Sequence, residues 1–157
     1  MERILSSLSL LMLGAAWVTA TPVRAEDGLK GIDTSHGTCR KLTLAGTDRT
    51  SDCKDVLLNT RYVDGRTGFY FLTLDGTMIT FSSHNQLAPQ QPSTSRIYAV
   101  DSIIFKIEGE IRKMPARGAC RRADPTHASS TLRCRADSEM GKFEGEFVAS
   151  ATKASGL

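Results

Sequence analysis

Four cysteines are the residues of this chain whose type and spacing imply chemistry most directly. Cys39 and Cys53 have 13 residues between them, and so do Cys120 and Cys134. An even number of cysteines in an oxidising compartment predicts two disulfides, with three pairings open. The local pairing, Cys39 with Cys53 and Cys120 with Cys134, is favoured because each pair brackets one candidate hairpin. A zinc site is disfavoured, because its cysteine ligands usually come in pairs roughly two to four residues apart.

Basic side chains form a second candidate site. The segment 112–122 contains Arg112, Lys113, Arg117, Arg121 and Arg122. Taken alone, this local excess predicts binding of a polyanion such as a phosphate, an anionic lipid or an acidic glycan. The alternative is a solvated sheet face whose charges are partly ion-paired, and the sequence favours this alternative over the polyanion site.

Catalytic motifs are absent from the sequence. There is no Gly-x-Ser-x-Gly elbow, His-Glu-x-x-His pair, Gly-Lys-Ser phosphate loop or Cys-x-x-Cys redox motif. His36, His84 and His127 lie in polar stretches, where surface positions are favoured over roles as ligands or bases. Glu144 and Glu146, if paired with arginines, would be poor general acids. The sequence therefore predicts a protein that is not an enzyme and that uses no cofactor and no metal.

Composition places the chain in an ordinary class. It has 157 residues, of which 40% are hydrophobic and 24% charged, with a formal net charge of +3. These values predict one soluble globular domain. So small a positive excess argues against nucleic acid as a partner, since a nucleic-acid-binding domain is usually markedly basic.

The first 25 residues have the pattern of an export signal. A charged start, Met1-Glu2-Arg3, precedes an apolar run and the small-residue end Val23-Arg24-Ala25. Cleavage there is favoured over an uncleaved anchor helix, because serines interrupt the run. The prediction is a periplasmic or secreted protein that does not span a membrane after cleavage. Its parts are the signal peptide 1–25, a flexible segment 26–36, a β domain 37–149 and a flexible tail 150–157.

The remaining residues show strand patterns and no sustained helical period. Strands are predicted near 38–46, 54–63, 67–74, 77–83, 96–108, 116–123, 130–137 and 142–149. Closely spaced strands with turn signals between them are typical of an all-β fold. We therefore expect a small antiparallel β-barrel or sandwich of about eight strands, held by two disulfides.

Three hairpins can be assigned a register. Two-residue turns at Asp64-Gly65 and Asp75-Gly76 would place Leu58 opposite Phe71 and Leu72 opposite Ile79. A turn at Glu139-Met140 satisfies both faces of the last hairpin, although a bulge at Gly141 would shift it. Its apolar pairs are Leu132 with Phe147 and Ala136 with Phe143, and its charged pairs are Arg133 with Glu146, Arg135 with Glu144 and Asp137 with Lys142.

The cysteine spacing also contains a repeat. Gly37, Cys39, Arg40 and Cys53 recur as Gly118, Cys120, Arg121 and Cys134 at one constant offset. This pattern makes an internal duplication a hypothesis, in which the two halves contribute similar hairpins to one sheet.

Several short stretches resemble a group of small exported proteins of alphaproteobacteria that carry two cysteine pairs. The stretches are Gly37-Thr-Cys-Arg, Leu57-Leu-Asn-Thr, Asp64-Gly-Arg-Thr-Gly-Phe-Tyr-Phe, Asp75-Gly-Thr-Met-Ile-Thr-Phe-Ser and Gly141-Lys-Phe-Glu-Gly-Glu-Phe-Val. The resemblance covers residues 37–149 and implies a location in the cell envelope. It implies no activity and no site residue.

These observations favour an exported binding module without enzymatic activity, with a small apolar ligand or a periplasmic or extracellular protein as partner. An inhibitor-like role falls within this hypothesis. The alternatives are an envelope-associated protein that binds polyanions through segment 112–122 and, less favoured, an enzyme with an unrecognised site. Five phenylalanines are candidates for the barrel interior: Phe69, Phe71, Phe105, Phe143 and Phe147.

Overall fold

A computed structural model describes residues 28–87, 95–123 and 130–150. The predicted signal peptide and nearly all of the predicted tail lie outside these ranges. None of the described residues belongs to a helix long and apolar enough to cross a membrane. The elements are β1 (Leu29–Leu44), β2 (Thr47–Asp48), a 3₁₀ helix (Thr50–Asp52), β3 (Cys53–Tyr62), β4 (Thr67–Thr73), β5 (Met78–Ser83), β6 (Asn85–Leu87), β7 (Ser95–Ile107), β8 (Glu110–Ala123), β9 (Thr131–Ser138) and β10 (Gly141–Ala149).

Eight of these strands close into an antiparallel barrel. The order around the barrel is β1, β3, β4, β5, β7, β8, β9 and β10, and β10 pairs back with β1. Two short strands are added, β2 beside β1 and β6 beside β7. β1 completes the closure by changing partner, since residues 29–36 pair with β3 and residues 37–43 pair with β10. The all-β prediction is confirmed, and of the two architectures it allowed, the barrel is the one found.

Two strands begin earlier than the sequence predicts. β1 starts at Leu29, so most of the segment 26–36 that was expected to be flexible is a strand hydrogen-bonded to β3. Its polar residues gave no apolar alternation to recognise, because this part of β1 is largely exposed. β8 starts at Glu110 and continues through Pro115, which lies opposite Ser102 at a β-bulge. A bulge tolerates a proline that would interrupt a regular ladder.

The register of the last hairpin is confirmed in full. β9 and β10 place Leu132 opposite Phe147 and Ala136 opposite Phe143, with those four side chains buried. On the outer face, Arg133 Nε lies 3.0 Å from a Glu146 carboxylate oxygen. Arg135 Nε lies 3.3 Å from a carboxylate oxygen of Glu144.

The registers of the two earlier hairpins differ from the prediction by one residue. Leu57, not Leu58, lies opposite Phe71, and Leu72 lies opposite Met78 instead of Ile79. The physical reason is the same in both turns. Each turn has three residues, 63–65 or 74–76, and its glycine adopts a φ of +86°. This is the three-residue loop with a left-handed last residue, which shifts the pairing by one relative to a two-residue turn.

Side chains fill the middle of the barrel. All five phenylalanines predicted for the interior are buried, with at most 9% of their surface exposed. Phe71 and Phe81 make an edge-to-face contact with ring centroids 5.8 Å apart, and Phe69 makes another with Tyr98 at 5.0 Å. An eight-stranded barrel has an interior just wide enough for side chains, so this core is the expected filling.

Both predicted disulfides are present. Cys39 is bonded to Cys53, and Cys120 is bonded to Cys134. No cysteine of the described residues is free. The local pairing favoured by the sequence is therefore confirmed.

Candidate functional site

Side chains fill the middle of the barrel, and a pocket lies at each of its two ends. We call the end that carries the turns at 45–46, 74–76, 108–109 and 139–140 the lower mouth. The opposite end, where β1 begins and the 63–65 turn lies, is the upper mouth. The two ends differ in chemistry, since the lower mouth is mainly apolar and the upper mouth is rich in arginine.

The lower mouth opens into an apolar pocket of about 280 Å³. Its floor consists of Ile79, Phe105 and Phe143, which are buried in the core. Met140, in the β9–β10 turn, lies at the edge with 51% of its surface exposed. The remaining lining residues are Leu44, Ala45, Thr47, Arg49 and Thr77.

The one charged side chain that lines this pocket, Arg49, forms ion pairs with two neighbouring carboxylates. Arg49 lies 2.8 Å from a carboxylate oxygen of Asp52 and 2.8 Å from one of Asp75. Hydrogen bonds from Thr73, Thr77 and Arg49 hold the pKa of Asp75 well below its ordinary value. The same ion pairs, led by Asp75, raise the pKa of Arg49. Asp75 therefore stays ionised, and Arg49 together with these two carboxylates carries a net negative charge at the rim of the pocket.

A second hollow of about 420 Å³ adjoins the pocket and shares Phe105 and Met140 with it. Glu108, Glu110 and Arg112 complete its lining. Glu110 and Arg112 are 3.4 Å apart and both are largely exposed. A ligand that fills the apolar pocket therefore has a more polar, solvent-facing exit past Met140.

The five predicted basic candidates do not come together at one place. They lie along β8, with Arg112 and Lys113 near the lower mouth and Arg121 and Arg122 near the upper mouth. A strand rises about 3.3 Å per residue, so the two pairs are separated by roughly 25–30 Å. Arg117 lies between them on an exposed part of the strand.

The upper mouth brings together three arginines from three strands. A small pocket of about 170 Å³ is lined by Arg61 of β3, Arg96 of β7 and Arg122 of β8. Asp33 is 3.1 Å from the Arg61 guanidinium, and Tyr98 lies below, stacked edge-on against Phe69. The other lining residues are Asn59 and Ala123.

Sequence reasoning missed Asn59, Arg61 and Arg96 as residues of this pocket. The predicted two-residue turn at 64–65 put Leu58 on the interior face, whereas the observed register puts Leu57, Asn59 and Arg61 there. Predicting a three-residue turn at 63–65 would have placed Asn59 and Arg61 on the interior face. Arg96 lies opposite Arg122 only because of the bulge in the β7–β8 pairing. No pattern in the sequence predicted that bulge.

One histidine makes a contact of the kind seen in catalytic dyads. His84 Nδ1 lies 2.5 Å from Asp101, and Ser102 donates a 2.8 Å hydrogen bond to the same carboxylate. Burial acts to raise the pKa of Asp101, but the hydrogen bonds from His84 and Ser102 outweigh it and lower the pKa. The described contacts of Ser102 lead to Asp101 and not to the imidazole, so they do not assemble a nucleophile with its base.

No group of three or more histidine, cysteine or carboxylate side chains that could hold a metal occurs within the described ranges. His127 lies outside those ranges. A scan against protein-family models and searches of the curated proteins and the solved structures found no match to this chain. The case for a function therefore depends on the geometry of the two mouths.

Proposed function

We propose that this protein is a binding module without enzymatic activity, which holds a small, uncharged, apolar ligand in the lower mouth. The observation that carries the proposal is the pocket of about 280 Å³ above Ile79, Phe105 and Phe143. Sites for small molecules are concave, mostly apolar and of about 300–1,000 Å³, so this pocket has the chemistry of such a site and a volume just below the lower end of that range.

The charges around the pocket define the ligand class. Arg49 is held between Asp52 and Asp75, so binding an anionic group there would require breaking two ion pairs. The apolar floor offers no partner for a polar group, and burying an unpaired polar group is costly. A compact neutral ligand that is largely hydrocarbon meets both conditions.

Met140 is the side chain best placed to adjust to the ligand. It lies at the edge of the pocket and also lines the adjoining hollow. Methionine is unbranched and polarizable, so it fills irregular gaps and adapts to different shapes. We expect Met140 to fold over a bound ligand and reduce its contact with water.

The proposal also includes a location outside the cytoplasm. Two disulfides favour an oxidising compartment, because cytosolic reductants keep most thiols reduced. Together with the export-signal pattern of residues 1–25, they support a periplasmic or secreted protein.

A neutral fluorescent probe tests the proposal. N-phenyl-1-naphthylamine is apolar and becomes brighter when it leaves water, and we expect it to bind saturably with a stoichiometry of one. Met140→Glu should weaken its binding at least about tenfold, because a carboxylate would then border an apolar pocket. Met140→Leu should keep the affinity within about threefold.

The matched control is Val63→Glu. Val63 is 75% exposed in the 63–65 turn at the opposite end of the barrel, so the same kind of substitution is made away from the pocket. The control should bind the probe as the unmodified protein does. Equal loss of binding in both glutamate variants, or binding that never saturates, would overturn the proposal.

The polyanion alternative receives less support from the geometry. It needs Arg112, Lys113, Arg117, Arg121 and Arg122 to act as one surface, whereas β8 distributes them over its length and over both of its faces.

A further inference from the structure

We propose a second binding site, at the upper mouth, for a tetrahedral oxyanion of the phosphate or sulfate type. Arg96 and Arg122 are its principal ligands, and Arg61 is at its edge. The proposal is independent of the apolar site, since the two mouths lie at opposite ends of the filled core and share no lining residue.

The first observation is a cross-strand pair of like charges. Arg96 of β7 lies directly opposite Arg122 of β8. The next pair of the ladder on the same face is Tyr98 with Cys120, and both are buried in the core. Alternation along a strand therefore points the two arginines toward the barrel axis at its upper end.

The second observation is the balance of charge at this mouth. Like charges directly opposite one another in a sheet are destabilising. Asp33 is the one carboxylate that lines the pocket, and it forms an ion pair with Arg61, with 3.1 Å between a carboxylate oxygen and a guanidinium nitrogen. Within the described ranges neither Arg96 nor Arg122 forms an ion pair. An anion bound between the two guanidinium groups would be attracted to both and would offset their mutual repulsion.

The third observation is the shape of the pocket. A volume of about 170 Å³ has room for an oxyanion group and is smaller than the roughly 300 Å³ or more of typical sites for larger small molecules. The buried ring of Tyr98 forms the floor and limits how deep an anion can go. Guanidinium groups bind tetrahedral oxyanions through paired N–H donors, and two of them can grip one anion from two sides.

The neighbouring residue Arg121 provides a matched control. It precedes Arg122 on β8, but it is exposed on the outer face of the barrel. Arg121→Gln and Arg122→Gln therefore remove the same charge from adjacent positions, and only the second removes a proposed ligand.

The experiment is a nuclear magnetic resonance titration of the disulfide-bonded protein with inorganic phosphate, at a fixed ionic strength maintained with chloride. We expect saturable shifts centred on Arg96, Tyr98 and Arg122. Arg122→Gln and Arg96→Gln should each weaken phosphate binding at least about tenfold, as expected for losing hydrogen bonds to a charged group. Arg121→Gln should leave the affinity within about twofold.

Two outcomes would overturn the proposal. One is an equal weakening of phosphate binding in Arg121→Gln and Arg122→Gln, which would mean that phosphate is attracted by the overall positive charge and not by a specific site. The other is the absence of a saturable response both to free phosphate and sulfate and to anionic vesicles. Neither outcome affects the apolar pocket, because Met140→Glu and the naphthylamine probe report on the other end of the barrel.

The source of the oxyanion is resolved by parallel arms. Free phosphate and sulfate form one arm, and vesicles of phosphatidylcholine with or without phosphatidic acid form the other. Saturable binding of the free anions assigns a dissolved ligand. The other result is cosedimentation with vesicles that contain phosphatidic acid, without saturable binding of the free anions. If that cosedimentation is lost in Arg122→Gln and kept in Arg121→Gln, the ligand of the same site is a lipid headgroup.

Discussion

In β1 and in β8, the same Gly-x-Cys-Arg sequence runs beside a neighbouring strand at very short range. A side chain on Gly37 would place its Cβ 2.0 Å from the carbonyl oxygen of Val148 in β10. A side chain on Gly118 would place its Cβ 1.9 Å from the carbonyl oxygen of Arg135 in β9. Both glycines therefore have the same reason to be glycine, namely close contact with the backbone of the next strand.

The two segments differ after their cysteines. In β1 a bulge follows Cys39, and Lys41 points outward, 2.7 Å from Glu144. In β8 the pairing with β9 is regular past Cys120, so Arg122 stays on the inner face at the upper mouth. One extra residue in a ladder thus decides whether a cation joins a structural ion pair or lines a pocket.

Their disulfides differ as well. Cys120 lies opposite Cys134 on adjacent strands, with Cα atoms 4.0 Å apart. Cys39 lies opposite Phe147 instead, and its partner Cys53 is at the start of β3, with Cα atoms 6.0 Å apart. The duplication hypothesis thus gains a shared glycine contact but no shared disulfide geometry. Equal spacing in the sequence does not imply equal positions in a sheet.

The largest expected effect comes from the two glycines. Gly37→Ala and Gly118→Ala should each lower the free energy of unfolding by about 3 kcal/mol or more, because the backbone of a paired strand must move. Gly31→Ala is the control on β1, since its Cβ would meet only the flexible end of Arg61, at 3.2 Å. Urea denaturation measures all three. A loss below about 1 kcal/mol at position 37 or 118 would contradict the close contact.

The next effect separates the disulfides. In the chain-entropy account each bridge closes a loop of about 15 residues and contributes about 3 kcal/mol. Cys39→Ala/Cys53→Ala should lose about that much. Cys120→Ala/Cys134→Ala should lose about 1 kcal/mol more, because those two side chains are almost fully buried. Denaturation of both double variants checks the order, and a smaller loss for the buried pair would reverse it.

A smaller effect tests the ion pair that follows the bulge. Glu144→Gln removes the carboxylate that lies beside both Lys41 and Arg135, and it should cost less than about 1 kcal/mol, as for most surface ion pairs. The hydrogen bond from Lys41, opposed by burial, lowers the pKa of Glu144 below its ordinary value. Stability from this carboxylate is therefore complete above its unfolded pKa and is lost as pH falls through the lower folded pKa. Denaturation at neutral and at acidic pH should show the difference between Glu144→Gln and the unmodified protein shrinking in acid. A difference that stays constant would contradict the pairing.

The smallest effect concerns the counterpart of Lys41. Without an added oxyanion, Arg122→Gln should change the free energy of unfolding by no more than about 0.5 kcal/mol, and in the stabilising direction, because it relieves repulsion from Arg96. Thermal denaturation in chloride buffer measures the change. Clear destabilisation would mean that Arg122 has a structural partner and that β8 resembles β1 more than we argue.

The sequence was most informative where two independent patterns agreed. In β9 and β10 the apolar alternation and the charge alternation select one register, so every predicted pair was found. At Asp64-Gly65 and Asp75-Gly76 only the turn residues gave information, and the same dipeptide serves two-residue and three-residue loops. The resulting shift of one residue moved Asn59 and Arg61 to the inner face, which is why the upper mouth was not foreseen.

The lower mouth was foreseen in part. Phe105 and Phe143 were predicted to lie inside the barrel, and they form its floor. Arg49 joins them through ion pairs with Asp52 and Asp75. These contacts depend on how a strand end, a 3₁₀ helix and a turn meet in space, and no periodic pattern encodes that meeting.

The change of partner along β1 has a consequence for the order of folding. Residues 29–36 pair with β3, which lies nearby in the sequence. Residues 37–43 pair with β10, which lies much farther along the chain. Contacts between residues so far apart in sequence slow folding. The seam between β1 and β10 should therefore be the last to close, and until it does, the Cys39–Cys53 bridge can form on a sheet that is still open.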